Sequence, residues 1–185
     1  MRSATLLVSI TAALMLACGG SSKRGPADAQ SDSTGMVLTS GSFAAGESIP
    51  TRYSLYGENT SPDLSWDRVP EGTRAFALVC RDPDAPGGTF YHWVLFNIPE
   101  NARGLPQGLG REAVLSTGGV QGRNSFHRVG YDGPKPPGGT HRYYFDLYAL
   151  DARPALDQSA TADRLLAALK GHVLGQASLM GTYTR

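Results

Sequence analysis

The sequence predicts a mainly β domain: a β-sandwich of antiparallel strands with a few peripheral helices. Four short runs are rich in β-branched and aromatic residues, namely MVLTSGSF, RAFALVC, YHWVLFNIP and HRYYFDLYALD. Clusters of Gly, Pro, Asn and Asp, such as GENTSPD and RDPDAPGG, separate these runs as turns would. A chain of 185 residues, 41% of them hydrophobic, can bury one sizeable core but hardly two. We therefore expect one folded domain.

The apolar patterns of these runs predict how each strand is buried. HRYYFDLYALD alternates, with Tyr143, Phe145, Leu147 and Ala149 on one face and Arg142, Tyr144, Asp146 and Tyr148 on the other. RAFALVC and WVLFNI are uniformly apolar, as strands covered on both faces are. We therefore expect the strands formed by these two runs to be buried on both faces.

The C-terminal segment departs from the strand pattern. Leucines at 165, 166 and 169 recur at helical spacing, Ser159 or Thr161 can cap the start, and Lys170-Gly171 supplies a stop. We predict one helix of two to three turns there. The long, turn-rich connection from 101 to 139 is the expected place for functional loops.

The N-terminal segment predicts export. Residues 1–17 are expected to form a signal peptide, because one arginine precedes an apolar run that is shorter than the ~20 residues needed to span a bilayer. The Ala17-Cys18 pair resembles a lipoprotein signal, so Cys18 is the expected lipidation site and residues 18–35 a flexible tether to a domain at 36–185. A soluble periplasmic protein is the alternative. Cys80 lies in an apolar run and is expected to be a buried, inert thiol.

Two of the four histidines follow loops rich in proline and glycine. His92 comes after DPDAPGGTFY, and His141 after GYDGPKPPGGT. If their strands are neighbours, Asp82, His92, His141 and Tyr143 converge at one end of the sheet. Protonated histidines, a tyrosine hydroxyl and loop N–H groups all donate hydrogen bonds, which suits a small anion such as phosphate. The alternative is that each histidine is structural and DPDAP only a tight turn.

Together, DPDAP…HWVLFNIP and GYDGPKPPGGTHRYYFDLYALD strongly resemble the phosphatidylethanolamine-binding protein family, in its bacterial, Raf kinase inhibitor-like branch. SPDLSW at 61–66 and GHVLGQASLMGTYTR near the end of the chain support the resemblance, which extends from about residue 36 to residue 185. The family implies a β-sandwich with a small, preformed anion pocket at one end.

The resemblance also implies site residues. Ligand-binding positions are Asp82, Pro86, His92, Gly133, Pro134, His141 and Tyr143. Pro86 matches a position that is cis in relatives. Asp84 and Arg142 are expected to support the site, with Arg142 paired to Asp82 or Asp84 so that it orients the turn. Lys135 and His127 depart from the family pattern near the pocket mouth, and we do not expect either to contact the ligand.

The expected function is an envelope-anchored binding protein for a phosphate or phospholipid headgroup, attached to the membrane by its N-terminal lipid. Regulation of an envelope protein partner, such as a protease, is the alternative. A hydrolase using Asp82, His92 and His141 is less favoured, because G-x-S-x-G and H-E-x-x-H are both missing. We expect no enzyme activity, cofactor or metal. With a formal charge of +1 and no basic run, we expect no nucleic-acid partner.

Overall fold

The computed structural model describes Met1 and residues 35–185. Cys18, the tether up to residue 34 and the predicted signal peptide apart from Met1 lie outside the described residues. Residues 35–185 contain eight strands and one α-helix, in chain order: β1 (Val37–Thr39), β2 (Leu64–Asp67), β3 (Ala75–Asp82), β4 (Phe90–Pro99), β5 (Gly104–Leu105), β6 (Val120–Gln121), β7 (Thr140–Leu150), α1 (Ala162–Ala168) and β8 (Val173–Thr184). A single 3-10 turn spans Thr51–Tyr53. No helix among the described residues has the length and hydropathy of a membrane span.

The strands form two antiparallel sheets, which confirms the predicted fold class. The smaller sheet has the order β1-β2-β5, and the larger has the order β6-β4-β3-β7-β8. The uniformly apolar strands β3 and β4 lie inside the larger sheet and are covered on both faces, as their sequences predict. The core is divided between the two faces of this sheet: one cluster contains Trp66, Phe76 and Trp93, and the other contains Val79, Phe96 and Leu165 from α1. The alternating residues of β7 divide in the same way.

The predicted helix is confirmed, but the strand that follows it was not predicted. Thr161 caps α1 by accepting a hydrogen bond from the backbone N–H of Arg164. β8 then pairs with β7 over almost its whole length. Its core-facing positions are mostly small, and a Cβ on Gly181 would lie 2.6 Å from Cγ1 of Ile49. Small buried residues contribute little to the apolar alternation that predicts a strand, so β8 could not be recognised from the sequence.

The topology brings two distant loops to the same end of the larger sheet. β3 ends at Asp82, which pairs with Phe90 at the start of β4. β7 is antiparallel to β3, with Arg81 opposite Tyr144, so β7 also begins at this end. The β3–β4 loop and the connection between β6 and β7, residues 122–139, therefore meet beside Asp82. We call the latter segment the Asp132 loop.

Candidate functional site

Four polar or titratable side chains converge at this end of the sheet: Asp82, His92, His141 and Tyr143, which we call the polar cluster. An Asp82 Oδ2 atom lies 2.8 Å from His141 Nδ1, although 59 residues separate the two in sequence. The rings of His92 and Tyr143 meet edge to face with centroids 5.2 Å apart. All four residues are buried, with at most 7% exposed. The convergence considered from the sequence is thus present.

His92 is held in one tautomer by the backbone of the Asp132 loop. Its Nδ1 atom lies 2.8 Å from the carbonyl oxygen of Asp132 and 3.1 Å from that of Gly133. Carbonyl oxygens only accept hydrogen bonds, so Nδ1 carries the hydrogen and Nε2 of the neutral ring is an acceptor. Burial lowers the pKa of His92 below its usual value, despite the two carbonyls and nearby Asp82. His92 is therefore neutral near pH 7, unlike the protonated donor considered from the sequence.

The hydroxyl of Tyr143 is buried and has no hydrogen-bond partner of normal geometry among residues 35–185. Burial raises the pKa of Tyr143 well above its usual value. The Asp82 carboxylate raises it further, both by its negative charge and because it faces the hydroxyl as an acceptor outside normal hydrogen-bond geometry. The backbone N–H of Lys135 faces the same hydroxyl and acts in the opposite direction. Tyr143 thus remains a protonated phenol that can donate a hydrogen bond.

Asp82 is fixed from two sides. Its Oδ1 atom accepts a hydrogen bond of 2.8 Å from the backbone N–H of Asp84, and its Oδ2 atom accepts the one from His141. Of the two partners expected for Arg142, the structure has Asp84: the guanidinium makes two bonds to that carboxylate, of 2.9 and 2.7 Å. This pairing lowers the pKa of Asp84 to about 2. Arg142 therefore holds the turn that presents the Asp84 N–H to Asp82.

The Asp132 loop is built around a buried carboxylate that the sequence analysis missed. Asp132 is fully buried and accepts hydrogen bonds from Asn59 at 3.0 Å and from Asn124 at 2.7 Å. The half-exposed guanidinium groups of Arg111 and Arg128 each approach its Oδ2 atom to 3.1 Å. The only sequence signal was its place directly before Gly133, since its partners are scattered along the chain. These contacts fix the carbonyls that orient His92.

Gly133 and Pro134 are buried beside this carboxylate. A Cβ on Gly133 would overlap the carbonyl oxygen of Tyr53, so the close approach of the two backbones requires glycine. The Gly133 N–H donates to Asn59 Oδ1 at 2.8 Å, and the Pro134 carbonyl accepts from the Leu55 N–H at 3.0 Å. Both residues thus attach the loop to the segment after β1.

Two aromatic rings that the sequence analysis did not single out complete the surroundings of His92. The centroids of Phe90 and Phe126 lie 5.1 and 5.6 Å from that of His92. Pro86, in contrast, is exposed in the β3–β4 loop, and the described residues contain no cis peptide bond, including the bond before Pro86. Lys135 and His127 are also exposed.

Two further findings bear on other kinds of site. Within residues 35–185, no three His, Cys, Asp or Glu side chains are grouped as metal ligands would be.

A cavity of about 240 Å³ lies at the opposite end of β7, lined by Leu150, Pro154, Ala168, Leu169 and His172 among others. None of its lining residues belongs to the polar cluster.

Comparisons with known proteins agree with this architecture. The family model described as phosphatidylethanolamine-binding protein matches residues 39–184. A UPF0098 protein of Methanothermobacter thermautotrophicus is 50% identical over 137 residues, which cover 74% of this chain and 91% of the relative. The UPF0098 protein YbhB of Escherichia coli is 40% identical over 158 residues, covering 80% of this chain and all of YbhB.

Solved structures give the same result. The crystal structure of the phosphatidylethanolamine-binding protein homologue CT736 of Chlamydia trachomatis has a TM-score of 0.75 and 37% identity, covering 83% of this chain and 99% of that one. That of E. coli YbcL, described as a new member of the mammalian family, has a TM-score of 0.77 and 34% identity, covering 81% and 98%. The predicted resemblance is confirmed: this chain belongs to the phosphatidylethanolamine-binding protein family.

Proposed function

We propose that this chain is a non-catalytic binding protein whose polar cluster holds a small anion, either free phosphate or a phospholipid headgroup. The observation that carries the proposal is the buried Tyr143 hydroxyl, which has no hydrogen-bond partner of normal geometry among the described residues. Leaving such a group unsatisfied costs about 1–3 kcal/mol, so an unpaired buried hydroxyl calls for an explanation, and a ligand that completes it is one. His92 Nε2 likewise has no protein partner in residues 35–185, since the hydrogen bonds of its ring run through Nδ1.

The family supports this choice of ligand. The name of the matching family model refers to phosphatidylethanolamine, a phospholipid whose headgroup contains a phosphate. A phosphate oxygen can accept the hydrogen bond that Tyr143 has to offer. Because Asp82, His92 and His141 are each held by other protein groups, the cluster is preorganised and a ligand need not order it.

The contacts of the two histidines support binding over catalysis. The pair Asp82–His141 resembles the carboxylate and base of a hydrolase, but such a site also needs a nucleophile. No serine or cysteine makes a hydrogen bond with either histidine among the described residues. Cys80 is completely buried, and burial raises the pKa of its thiol well above the usual value, which disfavours a reactive thiolate. A hydrolase is therefore the less supported alternative.

The proposed location is the bacterial cell envelope, with the chain anchored through a lipid on Cys18. This part rests on the sequence of residues 1–18 alone. Regulation of an envelope protein partner is the alternative function, and no contact within residues 35–185 favours it over ligand binding.

The test is isothermal titration of the full chain with phosphoethanolamine and with inorganic phosphate, repeated on Tyr143→Phe. We expect the variant to bind at least about tenfold more weakly, because a hydrogen bond to a charged group contributes about 1.5–3 kcal/mol. Tyr144→Phe is the matched control, since Tyr144 lies next along β7 and faces the other side of the sheet. No heat with either ligand in protein that is folded by circular dichroism would contradict the proposal.

A further inference from the structure

We propose that the polar cluster selects a phosphate monoester that carries one proton, because the cluster offers its ligand hydrogen-bond acceptors as well as a donor. This inference rests on the proposed function and narrows it. A phosphodiester, as in an intact phospholipid, has no P–OH group. Its phosphate therefore cannot donate a hydrogen bond to an acceptor of the cluster.

The first acceptor is Nε2 of His92. Two backbone carbonyls hold the hydrogen on Nδ1, so Nε2 of the neutral ring has a lone pair and no hydrogen. Three aromatic rings surround this imidazole, from Phe90, Phe126 and Tyr143. Protonating Nε2 to make it a donor would place a cation in this buried environment, which lowers the pKa of His92. At neutral pH the atom thus accepts a hydrogen bond and does not donate one.

The second acceptor is the carboxylate of Asp82. An ionised carboxylate has about four acceptor positions. The Asp84 N–H and His141 fill two of them, and the Tyr143 hydroxyl faces the same carboxylate outside normal hydrogen-bond geometry. Its remaining positions favour an O–H donor, whereas its negative charge repels an anion that brings no donor. A P–OH group can satisfy Asp82 or His92, while another oxygen of the same ligand accepts from the Tyr143 hydroxyl.

The charges around the cluster also favour a ligand of low charge. Asp82 from β3 and Asp132 from the loop are the charged groups that face His92, and Tyr143 on β7 stays neutral. His141, also on β7, is the other titratable group of the cluster, and its Nδ1 is bound to Asp82. No lysine or arginine side chain in residues 35–185 pairs with a member of the cluster. Arg111 and Arg128 are bound to Asp132, and Arg142 is bound to Asp84. A singly charged ligand is therefore easier to place here than a doubly charged one.

The experiment compares three small probes on the full chain by isothermal titration at pH 5 and pH 8. Methyl phosphate has a second pKa of about 6, so it is mostly monoprotonated at pH 5 and a dianion at pH 8. Methyl sulfate has nearly the same shape and the same single charge but no acidic proton. Dimethyl phosphate carries the diester phosphate of a phospholipid, which also has no proton.

We expect methyl phosphate at pH 5 to bind at least tenfold more tightly than either other probe, and to weaken at least tenfold at pH 8. Equal binding of methyl sulfate or dimethyl phosphate at pH 5 would overturn the inference. So would an acid-induced increase shared by all three probes, because it would show a protonated histidine as donor. No binding of any probe at either pH would overturn the proposed function together with this inference.

Asp82→Asn provides an independent measurement, because it replaces an acceptor oxygen with an NH₂ donor and removes the charge. We expect the preference for methyl phosphate over methyl sulfate to fall at least threefold, with Glu71→Gln, at an exposed acidic residue, as the control. A preference that Asp82→Asn leaves unchanged in folded protein would exclude Asp82 as the acceptor and overturn the inference in this form.

Discussion

The Asp132 loop and the polar cluster are neighbouring regions, and each buries polar side chains. They differ in how many of the hydrogen-bonding groups of those side chains have a protein partner. Asp132 receives hydrogen bonds or ion pairs from four side chains, Asn59, Asn124, Arg111 and Arg128. In the cluster, the Tyr143 hydroxyl and Nε2 of His92 have no hydrogen-bond partner of normal geometry among the described residues. The difference is one of saturation: the loop has its hydrogen-bonding capacity filled by protein groups, whereas the cluster retains unused capacity, which the proposed ligand would fill.

The largest expected effect on the free energy of unfolding comes from removing the buried carboxylate of the Asp132 loop. Asp132→Ala leaves two asparagine amides and two guanidinium groups without their shared acceptor. Because removing one partner of a buried ion pair costs about 3–5 kcal/mol and these arginines are half exposed, we expect about 3 kcal/mol. Urea unfolding measures this, with Glu71→Ala, an exposed acidic residue, as the control. A loss below about 1 kcal/mol would contradict the role given to Asp132.

A smaller effect is expected where the loop meets the segment after β1. Gly133→Ala places a methyl group on the carbonyl oxygen of Tyr53, and overpacking of this kind costs about 1–3 kcal/mol. Gly138→Ala is the matched control, because a Cβ there meets nothing within 4 Å. We expect only Gly133→Ala to lower the urea midpoint and to weaken phosphate binding, since it moves the carbonyl that holds His92. Equal urea midpoints in both variants would contradict this prediction, because they would show that the backbones at Gly133 and Tyr53 can move apart without loss of stability.

The smallest effect is expected at the exposed pair beside the cluster. Arg142→Ala removes a half-exposed ion pair with Asp84, and such pairs contribute about 0–1 kcal/mol. The pKa of Asp84 is lowered from 3.8 to about 2, so its contribution is fully present above pH 3.8 and is lost as the pH falls through 2. Urea unfolding of wild type and variant should therefore differ at pH 7 and converge near pH 2.

Arg142→Ala also tests whether the turn is oriented through Asp84. We expect phosphate affinity to fall a few-fold, because Asp82 depends on the Asp84 N–H for one of its two hydrogen bonds. If both the free energy of unfolding and the affinity stay unchanged at pH 7, Arg142 does not orient the turn.

The sequence predicted those strands whose residues were determined by burial alone. The apolar runs of β3 and β4 and the alternation of β7 reflect burial directly, and all three strands are where these patterns predict them. β8 was missed because glycine and alanine occupy several of its core-facing positions, where Ile49 and Phe43 leave no room for a side chain at Gly181. At those positions of β8 the residue type is determined by the space available, and not by hydrophobicity.

The candidate site shows the same limit. Asp82, His92, His141 and Tyr143 could be named because they follow recognisable loops, and the family resemblance placed them. The pairing of Asp132 with four residues at 59, 111, 124 and 128 could not be predicted, since it depends on how three separate segments fold against each other. The neutral state of His92 likewise depends on burial and on two backbone carbonyls that no local pattern reveals.

The order of strands in the larger sheet has a consequence for the timing of folding. β3 and β4 can pair as a hairpin as soon as both are synthesised, but the other edge of β3 waits for β7, and His141 lies 59 residues after Asp82. Contacts this distant in sequence slow folding, because the chain must close a long loop before they form. A nascent chain that has reached only residue 139 lacks both His141 and Tyr143. The proposed ligand site is therefore completed only when β7 joins the sheet, after the β3–β4 hairpin can already have formed.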